Sequence, residues 1–265
     1  MSLTEPTSKA APKRLPWLVP GQDFPPLQQA WRAADPAPGL LAAGDMLDVA
    51  TLVRAYSRGI FPWFSEDQPV LWWSPDPRMV LLTRNFRLHR SLRKAVVHFM
   101  ADRQCEIRID SAFEQVITAC AGKPRPGQSG TWIVPGMQAA YLELHCAGYA
   151  HSVETWVNGK LAGGLYCVSL GTMVFGESMF AHQTDASKIA LAALVAFCRA
   201  NYIDMIDCQQ NTSHLAFLGA KEISRVEFSD HLRSNTGQAA PKWHFEASYW
   251  YQLLNAAPRT GVKTP

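Results

Sequence analysis

The chain has 265 residues, of which 48% are hydrophobic and 11% aromatic, and its formal charge at pH 7 is +3. This composition excludes an intrinsically disordered chain and allows one large domain or two smaller ones with a buried core. So small a charge permits an anionic partner without requiring one. The longest apolar stretch, residues 161–176, is interrupted by glycines and polar side chains, so no membrane span is predicted.

The N-terminal residues and the cysteines indicate a cytoplasmic protein. Residues 1–15 are rich in Ser, Thr, Pro, Ala and Lys, which predicts a disordered tail and provides no apolar core for a signal peptide. The six cysteines are scattered, without a Cys-x-x-Cys pair, and most lie inside apolar segments. This usage is typical of reduced, buried thiols.

The first predicted element in chain order is a helix that begins after Asp48, a suitable N-cap, and stops before Gly59. Its apolar stripe consists of Val49, Leu52, Val53 and Tyr56. Residues 60–78 are dense in aromatic side chains and prolines, which cannot form one regular element throughout. We expect a rigid loop here that fills a core seam or lines a pocket.

A cationic segment follows a predicted buried strand at residues 79–82. Residues 84–100 predict an amphipathic helix or the approach to one, with an apolar stripe at positions 88, 92, 96 and 99. The cations in this segment are Arg84, Arg87, Arg90, Arg93 and Lys94. They form either a solvated helix face or a strip that contacts phosphates, and the sequence leaves both possibilities open.

The remaining elements predict an α+β fold with a mixed sheet. An Asn158-Gly159 pair suits a type I′ hairpin turn inside a meander. Helices are expected at residues 112–121, 135–146 and 186–200, and strands at residues 106–109, 151–157, 161–169, 172–177 and 202–209. A domain boundary is expected near residue 84.

Three polar residues in the last third of the chain could carry chemistry. Alternation along a strand places Asp207 and Gln209 on one face and Cys208 on the other. A carboxylate beside an amide can position a nucleophile and accept its proton. Glu177, at the end of a neighbouring strand, could join them. The alternative is that Asp207 caps a turn and Glu177 forms an ion pair.

Other kinds of site find less support in the sequence. A thiol nucleophile at Cys208, with His214 nearby, is disfavoured because buried cysteines are usually inert. No His-Glu-x-x-His, Walker or dinucleotide-binding motif is present, so neither a metal nor a cofactor is predicted. Taken alone, the aromatic cluster is better explained as core than as a binding site; its members are Phe61, Trp63, Trp72, Trp73 and Trp132.

Four segments, in order and with matching spacing, resemble the leucyl/phenylalanyl-tRNA–protein transferase family. They are residues 59–63 with 72–78, residues 130–133, residues 176–180 with 186–188, and residues 207–220. The similarity spans about residues 39–230. Members of this family move leucine, phenylalanine or methionine from aminoacyl-tRNA to proteins that begin with Arg or Lys, which marks those proteins for degradation through the N-degron pathway.

The resemblance implies a small N-terminal α+β domain, residues 1–83, followed by a GNAT-like acyltransferase domain with a mixed sheet, residues 84–265. It also implies that Asp207 and Gln209 form the catalytic pair, with Asp207 orienting the amine and accepting its proton directly or by relay. Glu177 would be the acidic pocket residue. The amino acid and the terminal adenosine would be received by Trp63, Trp73, Trp132, Leu165, Met179 and Phe180.

The same resemblance assigns the Arg84, Arg87, Arg90, Arg93 and Lys94 strip to the tRNA acceptor stem. Two positions depart from the family, because Phe217 and Ala181 stand where a serine is usual. We expect a monomer. The rival functions are a CoA-dependent acetyltransferase, whose pyrophosphate loop is missing before residue 186, and a tRNA-binding module without catalysis.

Overall fold

The computed structural model describes residues 14–122 and 133–255. Within these ranges the protein is a mixed α/β structure with eight α-helices and two sheets. Most of the predicted disordered tail and all of residues 123–132, including Trp132, lie outside the described residues. No helix in the described part of the chain is long and apolar enough to cross a membrane.

The smaller sheet lies near the N-terminus and has the strand order β1-β2-β4-β3, in which only β1 and β2 are parallel. Its strands are β1 (Trp17–Leu18), β2 (Leu40–Gly44), β3 (Phe61–Pro62) and β4 (Leu71–Trp73). Helix α1 (Val49–Tyr56) connects β2 and β3, and Asp48 caps it by accepting from the Thr51 amide at 2.7 Å. The prediction for α1 is therefore confirmed.

The prediction of an irregular segment at residues 60–78 is wrong in part, because β3 and β4 lie within it. These strands are only two and three residues long, shorter than the alternation that would identify a strand in the sequence. The segment does fill a core seam: Phe61, Trp72 and Trp73 are buried.

The larger sheet is mixed and has the strand order β11-β5-β10-β9-β8-β7-β6. Its strands are β5 (Arg78–Leu82), β6 (Cys105–Ile109), β7 (Ala150–Val157), β8 (Lys160–Leu170), β9 (Met173–Ala181), β10 (Met205–Gln209) and β11 (Lys221–Ile223). Strands β9 and β10 are parallel, and the other neighbours are antiparallel. Asn158 and Gly159 have φ of 53° and 68°, as the predicted type I′ turn between β7 and β8 requires.

The other helices cover this sheet. They are α2 (Arg90–Ala101), α3 (Phe113–Ala121), α4 (Pro135–Cys146), α5 (Ala186–Ala200), α6 (Ser213–Phe217), α7 (Arg225–Asn235) and α8 (Trp250–Leu254). Two predicted elements begin later than expected. Helix α2 starts at Arg90, so that Arg84 and Arg87 precede it, and β10 starts at Met205, because Tyr202 is 90% exposed with a φ of 58°.

Two hydrophobic cores lie on the two faces of the larger sheet, because alternate residues of β8 belong to different cores. Tyr166 and Val168 pack in a first core with α1, α3, α4 and the smaller sheet. Leu165 and Cys167 pack in a second core with α2, α5 and α8. The predicted mixed sheet is confirmed. The GNAT-like assignment and the division near residue 84 stay predictions.

The turn after α6 is packed against the segment before α2. Gly219 has a φ of +104°, and a Cβ atom at this position would lie 2.3 Å from the Asn85 carbonyl oxygen. The Arg87 amide donates to the Leu218 carbonyl at 2.8 Å. This contact fixes α6 next to the cationic segment.

We predict that Gly219→Ala lowers the free energy of unfolding by about 3 kcal/mol, because it adds a steric clash to the unfavourable φ. Gly148→Ala is the control, since Gly148 has a φ of +81° but no atom within 4 Å of a built Cβ. It should cost only about 1 kcal/mol. Urea unfolding measures both, and equal losses would show that the close approach to Asn85 has no energetic weight.

Candidate active site

The candidate site lies where strands β9 and β10 stop pairing. Their parallel register ends at Phe175 opposite Asp207. Directly afterwards each strand bulges against its other neighbour: Glu177 is an extra residue of β9 opposite β8, and Cys208 is an extra residue of β10 opposite β5. Such bulges aim side chains away from the regular ladder. Here they leave Glu177 and Gln209 facing each other across the opened strands.

Glu177 accepts hydrogen bonds from three different elements. Its Oε1 accepts from Gln209 Nε2 at 2.9 Å and from the Tyr56 hydroxyl of α1 at 2.7 Å. Its Oε2 accepts from the Tyr141 hydroxyl of α4 at 3.5 Å. The two tyrosine hydroxyls also lie within hydrogen-bond distance of each other. Because each hydroxyl carries one proton, only two of these three oxygen–oxygen contacts are hydrogen bonds at one time while Glu177 is ionised. The Glu177 carboxyl group therefore connects helices α1 and α4 to strands β9 and β10 of the larger sheet.

Burial raises the pKa of Glu177 to about 8, although the hydrogen bonds from Tyr56 and Gln209 oppose this shift. The nearby Asp207 carboxylate raises the pKa further and Arg78 lowers it. Desolvation also raises the pKa values of Tyr56 and Tyr141 well above their ordinary value, so both stay neutral donors at physiological pH. A carboxyl group with a pKa near 8 can accept or release a proton near neutral pH.

Asp207 has a different environment, since it forms a buried ion pair with Arg78. Arg78 Nε and Nη2 donate to the two carboxylate oxygens at 2.8 and 2.6 Å, and both side chains are essentially inaccessible to solvent. The guanidinium lies between the rings of Phe61 and Phe228, 4.8 and 4.7 Å from their centroids. Its Nη1 donates to the Gly59 carbonyl at 3.1 Å.

The Asp207 carboxylate also fixes the backbone of Gln209. Gln209 has a φ of 62°, and its amide donates to Asp207 Oδ1 at 2.9 Å. Cys208, by contrast, packs in the second core, where burial raises the pKa of its thiol well above the ordinary value. The predicted alternation, with Asp207 and Gln209 on one face and Cys208 on the other, matches these contacts.

The predicted amino-acid and adenosine site is divided between the two cores. Trp63, Trp73 and Phe180 belong to the first core, where Trp73 Nε1 donates to the Trp63 carbonyl at 2.7 Å and the two indole rings lie 5.3 Å apart. Leu165 and Met179 pair across β8 and β9 and face the second core. Of these five, only Trp63 and Met179 are partly exposed.

The five predicted tRNA-binding cations are all exposed and lie within residues 84–94, and together they are called the cationic surface. They are Arg84, Arg87, Arg90, Arg93 and Lys94. Among the described residues no carboxylate forms a salt bridge with them, while Arg93 donates to the Leu254 carbonyl at 3.0 Å. Two of the cations, Arg90 and Arg93, lie in the first turn of α2, where they add to the positive end of the helix dipole. The departing residues Phe217 and Ala181 are both exposed.

Sequence reasoning missed three residues of the site. Arg78 was assigned to a loop, and Tyr56 and Tyr141 were assigned to helices without a further role. The signal available for Arg78 is a charged residue inside a dense apolar segment, which is rarely buried without a partner. Within residues 14–122 and 133–255 no group of three or more His, Cys, Asp or Glu side chains is placed to hold a metal ion.

Comparison with solved structures gives only a weak match. A functionally unknown conserved protein from Staphylococcus epidermidis ATCC 12228 aligns with a TM-score of 0.34 and 10% identity, covering 70% of this chain and 68% of that chain.

Comparison with curated sequences is far more specific. The chain is 69% identical to a protein of Polaromonas sp. (strain JS666), covering 94% of this chain and 98% of the relative. It is 65% identical to a protein of Albidiferax ferrireducens (92% and 96% covered) and 58% identical to one of Methylibium petroleiphilum (91% and 92% covered). All three are named leucyl/phenylalanyl-tRNA–protein transferase.

The family models agree with these relatives. Residues 80–233 match the model described as leucyl/phenylalanyl-tRNA protein transferase, and residues 45–76 match the model of its N-terminal domain. The chain therefore belongs to the leucyl/phenylalanyl-tRNA–protein transferase family.

Proposed function

We propose that this protein transfers leucine, phenylalanine or methionine from aminoacyl-tRNA to the α-amino group of proteins that begin with Arg or Lys. Membership of the family supports the reaction class. The observation that carries the chemistry is the Gln209–Glu177 hydrogen bond at the opened strands. Because the side-chain amide nitrogen of Gln209 donates to Glu177, the side-chain carbonyl oxygen of Gln209 can accept a hydrogen bond from an incoming amine.

The proposed reaction needs no energy source beyond the donor ester. The α-ammonium group of the acceptor first loses one proton, and its nitrogen then attacks the ester carbonyl carbon of the aminoacyl-tRNA. The carbon–nitrogen bond forms, the bond to the ribose oxygen breaks, and a second amine proton ends on that oxygen. Since α-amino groups have a pKa of about 7.7–8.0, the first proton requires only a modest base.

We assign this base to Glu177 and a positioning role to Asp207. The Glu177 carboxyl, with its pKa of about 8, is matched to an ammonium group of similar pKa. When ionised, Glu177 also offers negative charge to the cationic Arg or Lys of the acceptor. Asp207 forms the ion pair with Arg78 and accepts from the Gln209 amide, so we propose that this carboxylate orients Gln209.

Donor binding is proposed on two surfaces. Trp63 and Met179 are the partly exposed members of the predicted pocket, so that a ligand reaches them without rearrangement. The other described members of the predicted pocket are buried; they are Leu165, Phe180 and Trp73. Trp63 would stack with the terminal adenine. The cationic surface around α2 would contact the phosphates of the acceptor stem without reading its sequence.

The fold proposals follow the same resemblance. We infer that the larger sheet with the buried helix α5 is the GNAT-like acyltransferase domain and that the domains divide near residue 84. Strand β5, directly before this boundary, pairs with β10 and β11 of the larger sheet. A cytoplasmic location follows from the proposed aminoacyl-tRNA donor, and the monomeric state stays a prediction.

The function is tested by transfer of labelled leucine from Leu-tRNA to a peptide that begins with Arg, compared with the same peptide beginning with Ala. Transfer to the Arg peptide alone is the expected outcome. Binding of tRNA without transfer would favour the binding-module alternative. If neither occurs and acetyl-CoA raises the thermal unfolding temperature, the acetyltransferase alternative replaces the proposal.

We predict that wild-type transfer increases with pH up to about 8, because Glu177 accepts a proton only in its ionised form. Glu177→Gln should lower kcat by about 100-fold or more at pH 8. Glu222→Gln, which removes an exposed carboxylate of β11, is the control and should leave kcat unchanged. A wild-type kcat in Glu177→Gln would remove Glu177 from the reaction.

The same variant should be more stable than the wild type at pH 8. The pKa of Glu177 is raised in the folded state, so the folded carboxyl binds its proton more tightly than the unfolded one, and stability is lost as the pH rises from 4.5 towards 8. Glu177→Gln avoids this loss. We expect a gain of at least about 1 kcal/mol at pH 8 that shrinks as the pH falls towards 4.5.

We predict that Asp207→Leu costs about 3–5 kcal/mol of stability, because it leaves Arg78 buried and unpaired. The double variant Arg78→Met, Asp207→Leu should recover most of this loss. It should still transfer about 100-fold more slowly with unchanged tRNA affinity, because Gln209 has lost its anchor. Normal transfer by the folded double variant would restrict the ion pair to a role in stability.

We predict that replacing Arg87, Arg90 and Lys94 by Gln weakens tRNA binding and lowers the salt slope of log K by about 2. The control replaces Arg32, Lys160 and Arg233, which removes the same charge elsewhere on the surface. Filter binding at several salt concentrations measures the slopes. Equal slopes for the two triple variants would place the tRNA on another face.

A further inference from the structure

An aromatic stack on the surface has no role in the chemistry described so far. The ring of Phe217, at the end of α6, stacks on the ring of His89 with centroids 3.9 Å apart and planes inclined by 15°. His89 Nε2 lies 2.9 Å from the Phe217 carbonyl oxygen. Phe217 is nevertheless 59% exposed. Since His89 covers one face of the ring, the exposed surface belongs to the other face and the edge.

The backbone on both sides of the stack is fixed. Leu218, the next residue, is 2% exposed in the second core, and its carbonyl accepts from the Arg87 amide at 2.8 Å. The close approach of Gly219 to Asn85 holds the following turn. These contacts fix the backbone next to Phe217, whose ring is exposed beside the ring of His89.

The stack lies inside the cationic surface. His89 is the N-cap residue of α2, between Arg87 and Arg90, and both arginines are exposed. A single exposed apolar side chain is common on protein surfaces and requires no explanation. A rigid aromatic ring among exposed cations is the combination that proteins use to bind single-stranded nucleic acid, because bases stack on the ring while the cations follow the phosphates.

The stack is also close to the reacting groups along the chain. Gln209 and Phe217 are joined by a short link and the five-residue α6, so their Cα atoms are at most about 20 Å apart. Stacked nucleotides advance by about 3.4 Å each. At this spacing about six stacked nucleotides would cover the upper limit of 20 Å, and fewer cover a shorter separation.

We propose that Phe217, supported by His89, stacks with an unpaired base near the 3′ end of the donor tRNA, one that precedes the terminal adenosine. The inference rests on the proposed function, in which the donor is an aminoacyl-tRNA. The 3′ end of a tRNA is a short single strand. Its terminal ester reaches the Glu177–Gln209 pair while its paired stem contacts the cations around α2, so the connecting bases pass α6.

The test compares Phe217→Ala with the wild type on two leucine donors, Leu-tRNA and leucyl-adenosine. Loss of one base stack weakens single-strand binding by roughly 5- to 100-fold. We expect this increase in the Kd for tRNA and in the KM for Leu-tRNA. The KM for leucyl-adenosine and the salt slope of tRNA binding should not change, because the variant removes neither a contact with the terminal nucleoside nor a charge.

Two matched variants separate stacking from a structural role. Phe217→Trp keeps an aromatic ring and should restore wild-type tRNA affinity. Val226→Ala truncates another exposed apolar side chain, 70% exposed on α7, and should have no effect. The difference between wild type and Phe217→Ala should disappear on a tRNA from which the unpaired 3′ nucleotides have been removed.

Several outcomes would overturn the inference. These are an unchanged tRNA affinity in Phe217→Ala, an equal loss with leucyl-adenosine, and a loss that persists on the truncated tRNA. Failure of wild-type protein to bind tRNA overturns the inference together with the proposed function. Normal wild-type transfer with an unaffected Phe217→Ala variant overturns the inference alone.

Discussion

The buried Arg78–Asp207 ion pair is the interaction on which the arrangement of the site depends. It connects β5 and β10 of the larger sheet, and through Phe61, Phe228 and Gly59 it reaches the smaller sheet, α7 and the end of α1. Removing two charges from water is costly, and bidentate geometry with further hydrogen bonds is what compensates for it. Such a pair tolerates few alternative arrangements, so it defines how these elements meet.

Two carboxyl groups near the same bulged strands have opposite properties because their partners differ. Asp207 forms a bidentate, buried ion pair with the guanidinium of Arg78. Glu177 is held by neutral donors, two tyrosine hydroxyls and one amide, which compensate for only part of its desolvation. Asp207 thus fixes geometry through its ion pair, whereas Glu177, with a pKa of about 8, can change its protonation state at physiological pH.

Local sequence signals predicted the local structure of this protein well. The Asp48 cap, the Asn158-Gly159 hairpin and the alternation at residues 207–209 each depend on a few adjacent residues. The family resemblance, carried by four segments in order, predicted the family to which the chain belongs. The strands at residues 61–62 and 71–73 are too short to produce a periodic pattern.

The contacts that form the site could not be predicted from the sequence, because they join residues that are far apart along the chain. Arg78 and Asp207 are 129 positions apart, and Tyr56 and Glu177 are 121 apart. The two bulges depend on how whole strands align, and side-chain alternation cannot predict where an alignment slips. Trp63 is partly exposed and Trp73 is buried. The sequence does not distinguish them, because both are tryptophans of the same apolar segment.

The hydrogen bond from Tyr56 to Glu177 has a consequence for the newly synthesised chain. Residue 56 is made early, whereas Gln209, the other donor to the same carboxylate oxygen, is made when about four-fifths of the 265 residues exist. Contacts so distant in sequence form late, because the closing of a long loop must precede them. A ribosome-bound fragment that ends before β10 therefore contains the Glu177 carboxyl without the environment that sets its acidity.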